Sequence, residues 1–295
     1  MRVLITGATS FIGQTLARRL VGEGNVVHAL LRPTSDRSRL AGAPGVAAHI
    51  HDGSASALAS IVAEARPDLV FHLAGKYVRE HKPADVADLI RDNILFGAML
   101  LEAMRTASAR RLVFAATAFQ HMDAPGYRPL NLYAATKQGF EDLLAYYADA
   151  HGLAAVTLVL FDIYGSGDWR RRLIPAAMAA LDTGEPMPVP AEDTPVDLIH
   201  VDDAAEAFVA AARLLMEREG EVAGRRFAVA PARRHGLFEV LAAIERTAGK
   251  PVPVKRSAWT PPARAATEPW KGPAVPGWRP KVTLEDGIRR AFAER

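Results

Sequence analysis

Tyr133 and Lys137 stand four residues apart in NLYAATKQGFEDLLAYY, a stretch with helical patterning. That spacing is one helical turn, so both side chains leave the same face. A phenol has an ordinary pKa of about 10, too high to move protons freely near neutrality. A neighbouring ammonium favours the phenolate, so the pair predicts a lowered pKa at Tyr133. Such a pair can exchange a proton with an alcohol or carbonyl oxygen while hydride moves elsewhere. Tyr and Lys at this spacing also occur on many helices that do no chemistry. The surrounding elements therefore have to carry the assignment.

Those elements alternate. RVLITG, VVHALL, AAHIHD, LVFHLAG, RLVFAAT and AVTLVLF read as strands. Between them FIGQTLARRLVGEG, SALASIVAEAR, DLIRDNILFGAMLLEAMRTA and NLYAATKQGFEDLLAYYADAHG read as helices. Near-continuous apolar strands alternating with helices predict a parallel sheet covered on both faces, an α/β doubly wound (Rossmann) fold. After Phe161 the alternation ends. RRLIPAAMAALDTGE and HVDDAAEAFVAAARLLMERE read as helices, PMPVPAEDTPVD as a Pro-rich extended segment, RRFAVA as a strand and GLFEVLAAIERTAG as a helix. A Pro- and Trp-containing tail from Pro251 to Arg295 ends in the helix LEDGIRRAFAE. The expected layout is a nucleotide-binding domain over 1–165, with 197–229 returning to it. A smaller C-terminal substrate cap spans 166–196 and 230–295.

RVLITGATSFIGQTLARRL is a strand, a turn of small residues and a helix. Gly7 and Gly13 allow a sharp bend and close helix–sheet packing, and the helix N-terminus offers N–H groups to a pyrophosphate. The spacing is Gly7-x-x-Ser10-x-x-Gly13. At the end of the second strand, where an acid would hold a ribose 2′-hydroxyl, stand Leu31 and Arg32, followed by Ser35 and Arg37. A guanidinium grips a 2′-phosphate with paired hydrogen bonds and stacks on adenine, so NADP(H) is expected over NAD. Asp52 at the end of the third strand either accepts from the adenine amino group or caps a turn.

Composition narrows the classes. The 295 residues are 49% hydrophobic and 23% charged, with net charge +3, as in ordinary globular proteins. There is no cysteine, which excludes disulfides, thiolate metal sites and a cysteine nucleophile. His28, His49, His51, His72, His121 and His200 lack metal-ligand spacing, and no metal is expected. The late basic cluster, Arg246, Lys250, Lys255, Arg256, Arg264, Lys271, Arg279 and Lys281, lacks the aromatic interleaving of a nucleic-acid surface. No run is long enough for a bilayer and MRVLITGATSFIG lacks a signal-peptide layout, so a cytoplasmic protein with no membrane or nucleic-acid partner is expected.

TGATSFIG, FHLAG, Asn93 in RDNILFGAMLLEA, RLVFAATA, Tyr133-x-x-x-Lys137, IHVDDAAEAF and PGWRPKVTLEDGIRR fall in the order of the extended short-chain dehydrogenase/reductases. The chain resembles that family of nucleotide-sugar epimerases, dehydratases and ketoreductases over nearly its full length. Its turn has serine where the family's GxxGxxG has the middle glycine. The resemblance implies catalysis by Thr117, Tyr133 and Lys137, with Thr117 holding the substrate oxygen that Tyr133 protonates and Lys137 holding the nicotinamide ribose. It implies a cofactor-binding set of Gly7, Thr9, Ser10, Phe11, Ile12, Gly13, Arg32, Ser35, Asp52, Gly53, Leu73, Ala74, Gly75, Asn93, Tyr133, Lys137 and Phe161. Within this set, Asn93 is given a supporting structural role. Relatives pair two helices per subunit at a homodimer interface, and the same is expected of DLIRDNILFGAMLLEAMRTA and NLYAATKQGFEDLLAYYADA.

Departures from the family refine the activity. Its 4,6-dehydratases carry Asp-Glu after the catalytic Thr, whereas Ala118 and Phe119 follow Thr117 here, which disfavours elimination of water. Asp162 replaces an asparagine, and Val196 an arginine that contacts the nucleotide diphosphate. Both departures resemble CDP-abequose and CDP-paratose synthases, NADPH-dependent reductases. Thr117, Ala118, Asp162, Arg170 and Arg172 are the expected substrate-binding residues, with the run Arg170–Arg172 taking the diphosphate. The expected reaction is reduction of a 4-keto group on a CDP- or dTDP-linked deoxysugar. The alternatives are a 4-epimerase with tightly held NAD, or a catalytically silent NADP(H)-binding relative; sensor-type relatives commonly lose the tyrosine that is intact here.

Overall fold

The computed structural model describes residues 1–123, 126–257, 264 and 268–293. Six strands alternate with helices through the first half: β1 (Arg2–Thr6), β2 (Val26–Leu31), β3 (Ala47–Ile50), β4 (Leu69–His72), β5 (Arg111–Thr117) and β6 (Ala154–Leu160). Shorter strands follow: β7 (Asp162–Tyr164), β8 (Met187–Pro190), β9 (Pro195–Val196), β10 (Leu198–His200), β11 (Arg226–Val229), β12 (His235–Gly236) and β13 (Val254–Ser257). A seven-stranded sheet runs β11-β6-β5-β4-β1-β2-β3, and every neighbouring pair in it is parallel. The patterning predicts this architecture: β1, β4 and β5 are buried along nearly their whole length, as strands covered on both faces must be. Strand order reverses between β1 and β4. The carboxyl ends of these strands therefore open the crevice where ligands of doubly wound sheets bind.

The helices are α1 (Phe11–Gly22), α2 (Ala55–Ala65), α3 (Asp85–Ile90), α4 (Phe96–Thr106), α5 (Leu132–His151), α6 (Leu173–Thr183), α7 (Val201–Glu217), α8 (Glu219–Val222), α9 (Leu237–Ala248) and α10 (Leu284–Ala293). One face of the sheet packs on α1 and α7 through Leu16, Leu20, Phe208 and Leu215. The other packs on α2, α4 and α5 through Val62, Leu101 and Phe140. A third apolar cluster, including Tyr164, Ile174, Leu181, Val240, Ile244 and Ile288, joins α6, α9 and α10.

The stretch expected as one helix, residues 88–107, is interrupted by a π-helical turn at Arg91–Leu95. This turn carries Asn93, whose buried amide bonds to the Lys76 carbonyl and Thr136 Oγ1. The Pro-rich segment supplies β8 and β9, which pair with β13 and β12 respectively. Asp202 and Asp203 stand in the first turn of α7, where the helix dipole favours carboxylates. Buried Asp203 accepts hydrogen bonds from the backbone N–H groups of Lys281 (3.0 Å) and Val282 (2.9 Å), and its carbonyl accepts from the Trp278 indole (3.1 Å). It pins the tail against the sheet domain. Glu294, the last residue of the expected C-terminal helix, lies outside the described residues, as does part of the segment between β13 and Glu268. Among the described residues no helix is long and apolar enough to cross a membrane.

Candidate active site

The glycine turn is shaped by close approach. Gly7 has φ of +71°, and a Cβ there would lie 2.8 Å from the Ala74 backbone nitrogen. A Cβ on Gly13 would lie 2.2 Å from the Gly7 carbonyl oxygen. Both positions therefore require glycine, and α1 starts directly beneath the end of β4. Ser10 caps α1: its Oγ accepts from the Gly13 N–H at 3.1 Å. The first helical turn, with Ser10, Phe11 and Ile12, faces a cleft of about 470 Å³. An uncrowded backbone at a helix N-terminus is the seat a pyrophosphate needs, so these residues fit a dinucleotide. Leu73, Gly75 and Phe161 line the same cleft, while Ala74 stands behind Gly7 and donates its N–H to Thr6 Oγ1 (3.2 Å).

At the end of β2, Arg32 is exposed and closes a tight turn with Ser35. The Arg32 N–H donates to Ser35 Oγ and the Ser35 N–H donates to the Arg32 carbonyl, both at 3.0 Å. Ser35 is thereby partly spent on the backbone, while the Arg32 side chain projects into water. Sequence reasoning missed Arg39, which reaches from the 3₁₀ turn Arg37–Leu40 to the Thr9 carbonyl (3.5 Å) and stacks 3.6 Å above the Trp169 ring. The second arginine of RSRL was its only trace in the sequence.

Three expected cofactor residues take other positions. Asp52 is exposed and accepts from the Ser54 N–H (2.8 Å); the Ser54 hydroxyl, and after it this N–H, hold its carboxyl below the usual range. It caps the turn into α2. Gly53, at φ +93°, donates its N–H to His51 Nδ1 in the same turn. Asn93 spends its whole amide on protein groups: Nδ2 donates to the Lys76 carbonyl (3.0 Å) and Thr136 Oγ1 (2.8 Å), and Oδ1 accepts from the Lys76 N–H (2.7 Å). It staples the loop after β4 to α5, and it does not line the cleft.

Thr117, Tyr133 and Lys137 all line the cleft. Thr117 ends β5, where its Oγ1 accepts from the Phe119 N–H (3.3 Å) and its own N–H donates to Gln120 Oε1 (3.2 Å). This capping box fixes the threonine rotamer at the strand end. Tyr133 lies in the first turn of α5, which Asn131 caps by accepting from the Ala134 N–H (2.9 Å). Lys137 is buried one turn further on. Its Nζ lies 6.0 Å from the Tyr133 ring centre and 4.8 Å from that of Phe114. A Cβ on Gly75 would lie 3.2 Å from the same Nζ, so the strand-end glycine leaves room for the ammonium.

The electrostatics correct the sequence expectation. Desolvation pushes the Tyr133 phenol well above its ordinary value; Tyr77 adds to the rise and the Arg172 charge opposes it. Burial lowers Lys137 to about 8, with Glu141 opposing. Lys137 does not depress the phenol here, because both groups are taken out of water and each is driven toward its neutral form. Tyr133 is therefore held protonated. Spacing revealed the pairing but not the burial.

On the substrate side, Ala118, Asp162, Arg170 and Arg172 line the cleft. Arg170 is committed elsewhere: it pairs with Asp168 at 2.7 and 2.9 Å and donates to the Ile163 carbonyl (2.6 Å), with its guanidinium 4.4 Å over the Phe11 ring. Its Nε and Nη2 are thus spent on Asp168 and the Ile163 carbonyl within the loop. Arg172 does face the chemistry, 4.7 Å above the Tyr77 ring and 3.6 Å from Asp162. Arg171 is exposed and absent from the cleft wall. Tyr77 itself was missed, though it packs edge-on to Tyr133 with ring centres 5.0 Å apart. Trp270 was missed as well; it lines the cleft and stacks on His121 at 4.7 Å. Among the described residues no three His, Asp or Glu side chains are grouped to hold a metal ion.

A reversal-point cleft that joins a glycine turn to a Thr–Tyr–Lys set is the architecture of a dinucleotide-dependent enzyme of the short-chain dehydrogenase/reductase class. The chain matches the NAD dependent epimerase/dehydratase family over residues 3–227 and belongs to that family, within the extended short-chain group. It is an NAD(P)-dependent enzyme of the oxidoreductase or epimerase kind. It is 35% identical over 229 residues to a 3-diazoavenalumate denitrifying reductase of a Streptomyces species, covering 72% of each chain. It is 23% identical over 210 residues to the CDP-abequose synthase of Yersinia pseudotuberculosis, covering 71% of this chain and 72% of the other. The crystal structure of UDP-glucose 4-epimerase from Brucella ovis in complex with NAD matches with a TM-score of 0.88 at 25% identity, covering 99% of this chain and 98% of that one.

Proposed function

We propose that the chain is an NADPH-dependent reductase of the 4-keto group of a nucleotide-linked deoxysugar, of the CDP- or dTDP-4-keto-6-deoxyhexose type. The observation that carries this reading is the gathering of Thr117, Tyr133 and Lys137 in one cleft with the first turn of α1, while Ala118 and Phe119 stand where elimination would need acids. A bound nicotinamide supplies the hydride to the carbonyl carbon. Tyr133, held protonated by its surroundings, donates its proton to the carbonyl oxygen as negative charge develops there. The Thr117 hydroxyl donates a second hydrogen bond to that oxygen. Lys137, seated against Gly75, holds the ribose hydroxyls. Arg32 takes the 2′-phosphate of the cofactor, supported by its exposed side chain and the absence of an acid at the β2 end.

The substrate cap at 166–196 and 230–295 closes the cleft through Arg172 and Trp270, opposite Asp162 of the nucleotide-binding domain. The exposed apolar side chains Ile90, Leu95 and Tyr146 on α3–α5 and the turn between them support a homodimer through that face. A second reading, a 4-epimerase with retained NAD, draws support from the close structural match to an NAD-bound epimerase. A silent NADP(H)-binding role is opposed by the complete Thr–Tyr–Lys set. The deciding experiment mixes purified enzyme, NADPH and a CDP- or dTDP-4-keto-6-deoxyhexose and follows absorbance of the reduced cofactor. Stoichiometric loss of NADPH is expected. Interconversion of 4-epimers without net oxidation would replace the reductase by the epimerase.

A further inference from the structure

We infer that Arg234, acting with Arg172, takes the anionic handle of the substrate, and that this handle is a nucleoside diphosphate; the inference rests on the nucleotide-sugar reading above. The 231–235 loop reaches the cleft because β12 pairs antiparallel with β9, setting His235 opposite Val196. Arg234 therefore arrives beside the apolar Val196, and both side chains line the cleft together with Asp197. Arg234 Nε lies 3.0 Å from Asp197 Oδ1, and that carboxylate is only 17% exposed. The Asp197 carbonyl accepts from the Asp162 N–H (3.1 Å), so the two aspartates are backbone neighbours. Asp162 in turn faces Arg172. Two arginine–aspartate pairs thus stand side by side on one wall.

A carboxylate behind a guanidinium fixes the direction of its planar fork, which is the geometry that paired hydrogen bonds to phosphate oxygens require. Arg233, next in sequence, is an internal control: its guanidinium ends on Glu239 and is absent from the cleft wall.

The test titrates UDP, CDP and dTDP by calorimetry into NADPH-loaded wild type, Arg234→Gln, Arg234→Lys and Arg233→Gln. Wild type is expected to bind at least one of the three. Arg234→Gln should weaken that binding by roughly ten- to a hundredfold, and Arg234→Lys by less, because a point charge keeps the attraction but loses the fork. Arg233→Gln should stay within about twofold, and NADPH affinity should be unchanged in all variants. Equal affinity in Arg234→Gln and wild type would remove Arg234 while leaving the nucleotide reading standing. An equal loss in Arg233→Gln would reduce the effect to long-range charge and overturn the assignment. Failure of wild type to bind any of the three would overturn the nucleotide reading itself, and the inference with it. If Arg234→Gln does not fold, Arg234→Lys carries the same comparison.

Discussion

Tyr133 and Lys137 sit on one helical face, but burial decides their protonation. The phenol is pushed up and the ammonium down to about 8, so near neutral pH the cleft holds a neutral phenol beside an amine that is still largely protonated. A protonated Tyr133 is the state needed to donate to a carbonyl oxygen. Tyr133→Phe should lower kcat by roughly a hundredfold or more while leaving the Kd for NADPH within about twofold, measured by steady-state kinetics and fluorescence titration. Turnover that survives the change would remove the tyrosine from the mechanism. Lys137 also links stability to pH. Its folded pKa lies below its unfolded value, so between about pH 8 and the ordinary lysine range near 10.5 the unfolded chain binds the extra proton. Stability from this residue is lowest below about pH 8 and rises above it. Urea denaturation of the cofactor-free protein should show that rise, and Lys137→Met should flatten it.

At the scale of elements, function hangs on strand ends. The end of β1 must be glycine because β4 and α1 close on it, and the end of β5 presents Thr117 through its capping box. The π-helical turn between α3 and α4 places Asn93 where its amide binds the Lys76 backbone and α5 together. At the end of β2 the Arg32–Ser35 turn leaves the Arg32 guanidinium exposed. Arg32→Ala should therefore weaken NADPH by roughly tenfold or more and NADH hardly at all, since only the former carries the 2′-phosphate. Equal losses for the two cofactors, in parallel titrations, would move 2′-phosphate recognition elsewhere, with Arg39 the nearest candidate by position.

Across the whole molecule, two layers of helix hold the parallel sheet, and the C-terminal tail is drawn back onto it by one buried carboxylate. Asp203 accepts two backbone N–H groups of the tail, and its carbonyl takes the Trp278 indole. Asp203→Ala leaves the Lys281 and Val282 N–H groups without their acceptor and should cost about 3 kcal/mol of unfolding free energy, read from denaturant midpoints at unchanged slope. Unchanged midpoints would mean that the tail is held by its other contacts, among them the apolar packing of α10, the Arg290–Asp202 pair and the Trp278 indole on the Asp203 carbonyl. The same tail carries Trp270 to the cleft, so substrate KM should rise in this variant while cofactor binding is kept.

The alternation of apolar strands with amphipathic helices, the glycine spacing and the Tyr133–Lys137 turn were legible in the chain because each is a local pattern, set by neighbours within a few residues. The parallel sheet follows from them, since helical crossovers leave few other arrangements. The tertiary structure alone decided what depends on residues far apart in sequence. It settled Asp52 in a turn, named the partners of Asn93 and matched Arg170 with Asp168. It brought Arg234 to the wall that Val196 leaves without charge, and Tyr77 to the edge of Tyr133. It also set the phenol above its ordinary value through burial, where the spacing alone predicts a lowering. Spacing along a helix specifies which side chains can meet, but burial is a property of the packed whole, and desolvation outweighs a single neighbouring charge here.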